Sequence, residues 1–465
     1  MIPTDGRHAR RRSPWPIAVG AGILAVVLVA GIMVYTSMHS KTREDGGFAG
    51  SEVATGQPAA PAPTLEAPPM LDSWPRWGVT HTQYSADNEP APVAEQARGL
   101  FGRVPMVQNQ HIMGWGVGNP EPSPGQYNFR DLDRRLTFMS SSRAVPVITL
   151  CCAPDWMKGG QAGRTDWSKN HTVAPEPEHF DDFAALAARV ARQYPTVKHY
   201  MVWNEFKGFW DTTANQWDAR GYTEMYNKVY DALKKVDKTI QVGGPYMPIG
   251  SSSGASGTSE LSGSWGTVDQ RALDGIKYWI QHKKGADFIV VDGATMTTDK
   301  GNVPDDFAAV GKFGAITAWL REQSGDLPVW WAEWYVEPEN SGWNEDKRTA
   351  VQAAALMEFA RSGVTTALYW NPQQKGAGEC PGCLWTPNEG GELPMAGLLS
   401  GFAKWFPSGV PLAGVQVSDP RVKALAQERQ MVLVNTAGEQ VTATVDGRQV
   451  GLAPYEIKWS GRGGE

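Results

Sequence analysis

The sequence has little that would attract a polyanion. Its 465 residues carry a formal net charge of −6, and the one dense cationic cluster, Arg7 with Arg10 to Arg12, lies at the extreme N-terminus. Without a basic surface, the chain lacks the field that concentrates nucleic acid around a protein. Nucleic acid is therefore not an expected partner.

Cysteine is also scarce, with four residues in the chain. Cys380 and Cys383 form a C-x-x-C pattern, while Cys151 and Cys152 are adjacent. The four thiols could in principle bind zinc, but the usual paired spacing is absent. A local disulfide between Cys380 and Cys383 is favoured, because everything after the N-terminal apolar run is expected outside the cytoplasm. No motif requires a metal or an organic cofactor.

One long apolar run is present. The uncharged stretch from Pro16 to Met38 is long enough to cross a bilayer as a helix, and the arginines before it predict a cytoplasmic N-terminus. A cleaved signal peptide is the alternative, but the run is long for a signal core and no clear A-x-A site follows. We predict a cytoplasmic basic segment over 1–15, a single-pass signal-anchor helix over 16–38 and a Pro/Ala/Gly-rich linker over 39–72. The expected location is the cell membrane, with the remaining chain outside.

The region 73–406 alternates short β-rich runs with helical stretches, a pattern typical of βα units around a parallel sheet. Helical spacing is clear at Phe180, Phe183, Ala187 and Val190. Eight such repeats predict an α/β fold, the (β/α)₈ TIM barrel. An open doubly wound sheet is the alternative, but no Gly-rich phosphate loop follows the first strand. The predicted strands begin near Trp77, Val104, Val145, Lys198, Ile240, Asp287, Pro328 and Thr366.

The region 407–465 has a different pattern. Its residues alternate in the manner of strands, with turn signals at Ala437-Gly438 and Asp446-Gly447. We predict a small C-terminal antiparallel β domain. Its expected role is to cover barrel surface, because nothing in it marks a site.

Two glutamates stand at the ends of predicted strands. Glu205 ends the fourth strand and Glu333 the seventh, and in a barrel such residues point into a shared mouth. Glycosidic bond cleavage needs such a pair, one carboxylic acid to protonate the leaving oxygen and one carboxylate to attack or to activate water. Neighbouring tryptophans suit sugar stacking and raise the pKa of the acid. The other interpretation is a pair of solvated or ion-paired strand-end residues.

These strand ends carry a family resemblance. The W-N-E motif at 203–205, Glu333, Trp370 and the segment 115–136, "WGVGNPEPSPGQYNFRDLDRRL", together resemble clan A of the retaining glycoside hydrolases. Within the clan the resemblance is nearest to family 39, which includes xylosidases and exopolysaccharide hydrolases, and it spans about 74–405.

The resemblance implies residue roles. It makes Glu205 the general acid/base, Asn204 the residue that bonds the sugar 2-hydroxyl, Glu333 the nucleophile and Trp370 the floor beneath the reacting sugar. The implied mechanism retains configuration, with carboxyl groups about 5–5.5 Å apart, whereas an inverting enzyme would show about 6.5–9.5 Å.

The sequence departs from the clan pattern in three places. Phe206 stands where Pro usually follows Asn-Glu, the second strand lacks an Arg often found there, and the sixth ends in Asp292-Gly instead of His-x-Tyr. The Phe206 departure is mild, whereas the other two weigh against transferring xylosidase specificity. Asp292 either lines the pocket or forms an Asp-Gly turn.

Several further residues are candidate substrate contacts. His81 and His111 are more often structural histidines, and Trp370 is either a ligand platform or a packed core residue. The expected function is a membrane-anchored, extracytoplasmic retaining β-glycosidase acting on a polysaccharide or oligosaccharide. The alternative is a catalytically inactive barrel that binds surface glycans. The candidate contacts are Asn204, Trp370, Trp203, Trp115, Trp156, Tyr246, Asp292, His81 and His111.

Overall fold

The computed structural model of the chain describes most of the region that follows the predicted linker. The predicted cytoplasmic segment and signal-anchor helix lie outside the described residues, as do most of the linker and Cys380. Within the described part, no helix combines the length and apolar character of a membrane span. The described residues are 63–65, 73–169, 171–254, 258–299, 301–370, 382–386 and 389–462.

Eight parallel strands close into a barrel. Each strand pairs with its neighbours in sequence, and the first pairs with the last, so that no edge is left open. The strands are β1 Trp77–Thr80, β2 Val107–His111, β3 Val145–Leu150, β4 His199–Val202, β5 Gln241–Ile249, β6 Phe288–Ala294, β7 Val329–Tyr335 and β8 Thr366–Trp370.

A helix follows every strand, which confirms the predicted (β/α)₈ barrel and makes the open-sheet alternative wrong. Capping residues mark where these helices begin and end. Before the helix Glu345–Ser362, for example, the Asn344 side chain accepts a hydrogen bond from Lys347 N, and after it Gly363 ends the helix with a φ of 75°. The helices are α1 Ala91–Gly102, α2 Arg130–Ser141, α3 Phe180–Gln193, α4 Ala219–Val236, α5 Gln270–His282, α6 Gly311–Ser324, α7 Glu345–Ser362 and α8 Pro394–Trp405.

Large rings fill the end of the barrel where the strands begin. Phe288 stacks on Trp330 with ring centroids 4.1 Å apart, and Trp74 lies 5.5 Å from Trp330 and 4.5 Å from His199. This end is therefore a packed core, and the polar side chains of the site collect at the opposite end, where the strands finish.

Strand β5 is longer than predicted. The predicted strand runs from Ile240 to Gly244. In the structure β5 continues through Pro245, and its register against β6 shifts at this point, leaving Tyr246 as an unpaired bulge residue. Tyr246 has a φ of 56°. A bulge redirects a side chain, and here it places Tyr246 in the site.

The C-terminal region forms the predicted small antiparallel sheets. In the hairpin formed by the strands Val441–Val445 and Arg448–Leu452, Asp446 and Gly447 have φ values of 47° and 82°, as a tight turn between strands requires. Trp459 packs against Phe402 and Phe406 of the barrel at centroid distances of 5.5 and 6.3 Å, so the sheets cover barrel surface. The strands are β9 Val422–Ala426, β10 Gln430–Asn435, β11 Val441–Val445, β12 Arg448–Leu452 and β13 Ile457–Gly461.

Candidate active site

Glu205 lies on a turn immediately after β4. Three residues of this turn have left-handed backbones, with φ values of 69° at Trp203, 50° at Glu205 and 53° at Phe206. Non-glycine residues adopt such values at a cost, which the surroundings must offset. The Trp203 indole donates to the Lys207 carbonyl at 2.7 Å and closes the turn. As a result Glu205 is held with only 6% of its surface exposed.

The turn explains why Phe206 replaces the usual proline. Proline is restricted to φ near −65° and is incompatible with the left-handed backbone at this position. The Phe206 ring is buried and stacks on Tyr222, with centroids 4.1 Å apart. The departure from the clan pattern therefore accompanies a different path of the chain after Glu205.

Glu333 lies on β7 and is 5% exposed. Its Oε1 accepts a hydrogen bond of 2.8 Å from the Tyr246 hydroxyl. The tyrosine that β6 lacks at its end is thus supplied by β5. A bulge in β7 also pairs Glu333 with Asp292 of β6, which brings a third carboxyl group beside the two predicted ones.

The three carboxyl groups form one cluster. One oxygen each of Glu205, Asp292 and Glu333 lie within 4.8 Å of one another, and all three residues are buried. The Lys207 ammonium contacts Glu205 Oε2, and the Lys207 side chain is 16% exposed. Because Lys207 supplies a positive charge within the cluster, we assign no metal ion to these carboxylates.

The environment separates the pKa values of these groups. Burial, followed by the charge of Glu205, raises the pKa of Glu333 to about 8 and holds the pKa of Asp292 well above its usual range. Burial is the largest influence on Glu205 and acts to raise its pKa, but the charge of Lys207 and the hydrogen bonds from Asp292 and Lys207 together outweigh it, so the net shift of the Glu205 pKa is downward. In the free site at neutral pH, Glu205 is therefore the ionised member, while Glu333 and Asp292 hold protons.

Aromatic rings form a corner beside the cluster. Trp115 stacks on His111 with centroids 4.0 Å apart, and Trp370 meets Trp115 edge-on at 6.4 Å. Asn204 and His111 are both fully buried, and their side chains face each other; within the described part of the chain, the Asn204 amide and the His111 ring nitrogens make no well-formed hydrogen bond. Buried polar groups are normally paired, so these atoms are suited to bind sugar hydroxyls.

His111 is neutral in this setting. Burial, followed by the charge of Lys207, lowers the pKa of His111 to about 3, and the same two causes lower the pKa of His171 to about 4. A neutral imidazole both donates and accepts a hydrogen bond. His171, 5.6 Å from Trp115, was not predicted from the sequence, because it lies in a long loop that carries no motif.

Two predicted contacts lie elsewhere. The Trp203 side chain is fully buried against Phe183 and Phe209, because the left-handed backbone turns it away from the mouth. His81 is likewise fully buried, and its ring nitrogens are hydrogen-bonded to Ser85 Oγ at 2.8 Å and Gln108 Oε1 at 2.9 Å. Trp203 therefore stabilises the turn. His81 is a structural histidine, the role that the sequence analysis gave as the more common one, and not a substrate contact.

Trp156 is partly exposed in the loop after β3. Its indole donates to the Glu121 carbonyl at 2.9 Å, and its ring meets His179 at 5.4 Å. These contacts tie two loops of the barrel mouth together. They do not join Trp156 to the carboxyl cluster.

The predicted Cys380–Cys383 disulfide stays a prediction, and the structure pairs the other two cysteines. Cys151 and Cys152, left unassigned by the sequence, form a disulfide with each other in the residues that follow β3. The zinc interpretation is wrong for these two residues. Cys383 is also in a disulfide, and Cys380, the partner that the spacing predicts, lies outside the described residues.

The closed barrel, with paired glutamates at the ends of β4 and β7 and an aromatic corner beside them, has the arrangement that is typical of clan A glycoside hydrolases. Residues 120–256 match the model of the family described as Glycosyl hydrolases family 39. This match confirms the resemblance to family 39 and the enzyme class. It contains Glu205, whereas Glu333 lies beyond it.

Solved structures share the fold. A monomeric beta-xylosidase from Caulobacter crescentus CB15 is 17% identical, with a TM-score of 0.52 over 81% of this chain and 76% of that chain. SrfJ from Salmonella typhimurium is 11% identical, with a TM-score of 0.53 over 83% and 88%. A glucosidase from Croceicoccus marinus is 15% identical, with a TM-score of 0.50 over 81% and 77%. Comparison with curated protein sequences found no match.

Tyr246→Phe tests the contact that positions Glu333. Removing a hydrogen bond to a charged group costs about 1.5–3 kcal/mol, so we expect turnover to fall roughly 10- to 100-fold with a much smaller change in KM. Steady-state kinetics with an aryl glycoside measure both constants. Tyr278→Phe on α5 is the matched control, because its ring stacks on His282 at 4.0 Å, outside the site. Equal kinetics for Tyr246→Phe and wild type would contradict the positioning role.

Proposed function

We propose that the chain is a retaining β-glycosidase that hydrolyses O-glycosidic bonds of a polysaccharide or oligosaccharide outside the cytoplasm. The observation that carries this proposal is the approach of Glu205 and Glu333, whose nearest oxygens lie within 4.8 Å. This spacing favours the retaining separation of about 5–5.5 Å over the inverting one of about 6.5–9.5 Å, which must leave room for a water molecule.

The proposed reaction has two steps. The proton that Glu333 holds in the free site first moves to Glu205. Glu333 then attacks the anomeric carbon while Glu205 gives this proton to the bridging oxygen, so the glycosidic bond breaks and a glycosyl ester of Glu333 forms. Glu205, now ionised, then takes a proton from water, which attacks the same carbon and releases Glu333. Tyr246 orients the attacking carboxylate, and Asn204 offers its amide to a sugar hydroxyl.

A covalent label tests this proposal. Activated 2-deoxy-2-fluoro sugars trap the glycosyl ester, and the fluoro analogues of xylose and glucose are the first to try, since the structural neighbours include a beta-xylosidase and a glucosidase. We expect intact mass to rise by one glycosyl unit, peptide mapping to place it on Glu333, and NMR to show the β-anomer as first product. An α-anomer as the first product would show that the enzyme inverts the configuration and would contradict the retaining mechanism. Glycan binding without label or hydrolysis across a panel would favour the inactive binding protein instead.

We further propose that the run from Pro16 to Met38 anchors the enzyme in the cell membrane with its barrel outside. Support comes from the length of the uncharged run and the arginines that precede it. Expressed in a bacterial host, the full chain is expected in the membrane fraction at high salt, and protease added to spheroplasts should degrade the barrel. Release of the full chain into the soluble fraction would contradict the anchor.

A further inference from the structure

Lys207 is a buried cation whose position is built into the turn after β4. Its backbone N–H donates to the Asn204 carbonyl at 3.1 Å, and its carbonyl accepts from the Trp203 indole at 2.7 Å. Its ammonium contacts Glu205 Oε2 and lies 5.9 Å from the centroid of the Trp115 ring. The clan resemblance assigns no role to a lysine at this position, and the two-step mechanism does not use it.

The charged and titratable groups around Lys207 create a conflict with catalysis. Glu205, Glu333 and Asp292 surround it on the acidic side, and the imidazoles of His111 and His171 face it without charge. While Lys207 holds Glu205 ionised, the proton needed for the bridging oxygen stays on Glu333. The resting arrangement is thus the reverse of the productive one.

In the arrangement that catalysis requires, Glu205 is protonated and Glu333 is ionised, so Lys207 loses its counter-ion. When Glu205 takes the proton, Lys207 loses its direct carboxylate partner, and a buried charge without a partner is costly. Glu333 is then ionised, but its Oε1 is held by Tyr246, and it becomes a neutral ester when the sugar is transferred. A negative group brought by the substrate would offset this cost.

We propose that Lys207 recognises an anionic group, a carboxylate or a sulfate ester, on the leaving-group sugar, and that this group replaces Glu205 as the partner of the ammonium. The exchange leaves Glu205 free to take the proton that Glu333 releases, so no proton is gained or lost by the pair. The inference rests on the proposed glycosidase function and specifies its substrate class: glycans with an acidic sugar on the leaving side of the cleaved bond.

The leaving side follows from the position of Lys207. Asn204 and Trp370 are the residues expected around the sugar that is transferred, whereas Glu205 meets the bridging oxygen. Lys207 contacts the carboxyl group of Glu205, next to that oxygen, and its partly exposed side chain is accessible to an incoming group. The recognised charge is therefore placed on the sugar joined through the bridging oxygen.

Matched substrates test the proposal without a mutation. The sugar that labels Glu333 is attached to 4-nitrophenol carrying a 3-carboxylate, and to the methyl ester of the same group as the uncharged control. Wild-type kcat/KM is expected to favour the carboxylate by about 30-fold or more, as for a buried charge pair. A sulfate in place of the carboxylate separates the two anion classes. A ratio near one for both anions would overturn the proposal.

Variants of Lys207 test whether this residue causes the preference for the anionic substrate over its ester. Lys207→Met is expected to bring the anion-to-ester ratio close to one, whereas Lys207→Arg, which keeps the charge, retains most of it. Lys228→Met is the control, because Lys228 pairs with Asp181 on helices outside the site. An unchanged ratio in a folded Lys207→Met enzyme would overturn the assignment, as would a preference of the wild type for an acidic transferred sugar with a neutral leaving group.

Loss of the glycosidase function and loss of anion recognition alone would give different results. If neither substrate is hydrolysed and no fluoro sugar labels Glu333, the proposed glycosidase function fails. If both substrates are hydrolysed at equal kcat/KM and Glu333 is labelled, only the anion recognition by Lys207 fails. Should Lys207→Met not fold, the wild-type substrate comparison still decides.

Discussion

Glu333→Gln is expected to reduce hydrolysis by about 10⁴-fold or more, because loss of a nucleophile removes the covalent route and not merely one contact. The amide is nearly isosteric with the carboxyl group and can still accept from Tyr246, so the fold should persist. Single-turnover kinetics with an activated aryl glycoside, together with loss of the fluoro-sugar label, measure the effect. Turnover within 10-fold of wild type would contradict the nucleophile assignment.

The same variant has an expected effect on stability that depends on pH. Because the pKa of Glu333 is raised to about 8 in the fold, the folded protein holds a proton that the unfolded chain releases. The contribution of this group is therefore fully present below its ordinary pKa and is lost as the pH rises through about 8. The amide in the Glu333→Gln variant does not titrate and has no such loss. We therefore expect the Tm of the variant to exceed that of wild type by a few degrees at pH 9 and to differ little at pH 5.

Glu205→Ala is expected to show the signature of a lost general acid/base. General acid catalysis contributes about 10²- to 10⁴-fold, and the loss should be largest for substrates whose leaving group needs protonation. An activated aryl glycoside should still form the glycosyl ester, which then accumulates because no base assists water. Measuring the rates against leaving-group pKa, with intact mass spectrometry of the intermediate, checks both points.

Azide supplies the second readout for Glu205. A small anionic nucleophile needs no general base and fits the space left by the side chain, so we expect azide to restore turnover of Glu205→Ala and to give the β-glycosyl azide. Glu333→Ala should instead yield the α-azide. The same azide stereochemistry in both variants would contradict the assigned roles, and a loss independent of leaving group would point to a structural role for Glu205.

Much of the site was predictable because its signals are local. The alternation of strand and helix patterns predicts a barrel, and strand ends in a barrel converge, so Glu205 and Glu333 could be paired from position alone. The pairing required no knowledge of side-chain direction. The roles of Asn204 and Trp370 were implied by the resemblance to clan A and stay predictions.

Side-chain direction was less predictable. Trp203 sits in the same motif as Glu205, yet a left-handed backbone turns it into the core. Tyr246 reaches Glu333 because a bulge extends β5 past a proline, and Asp292 joins the cluster because a second bulge, in β7, shifts its register. A bulge depends on how two strands pair, so the sequence of one strand alone does not predict it.

The barrel and the convergence of Glu205 and Glu333 at its mouth could be predicted before folding, because hydrophobic periodicity and strand order are properties of the chain. The expected chemistry came from the resemblance to clan A. Tertiary structure alone decided the charge state of the site. Lys207 follows Glu205 by two residues, but only the folded turn directs its ammonium to that carboxyl group. Burial, followed by the charge of Glu205, then raises the pKa of Glu333. Electrostatic energies depend on distance and desolvation, and both exist only once the chain is folded.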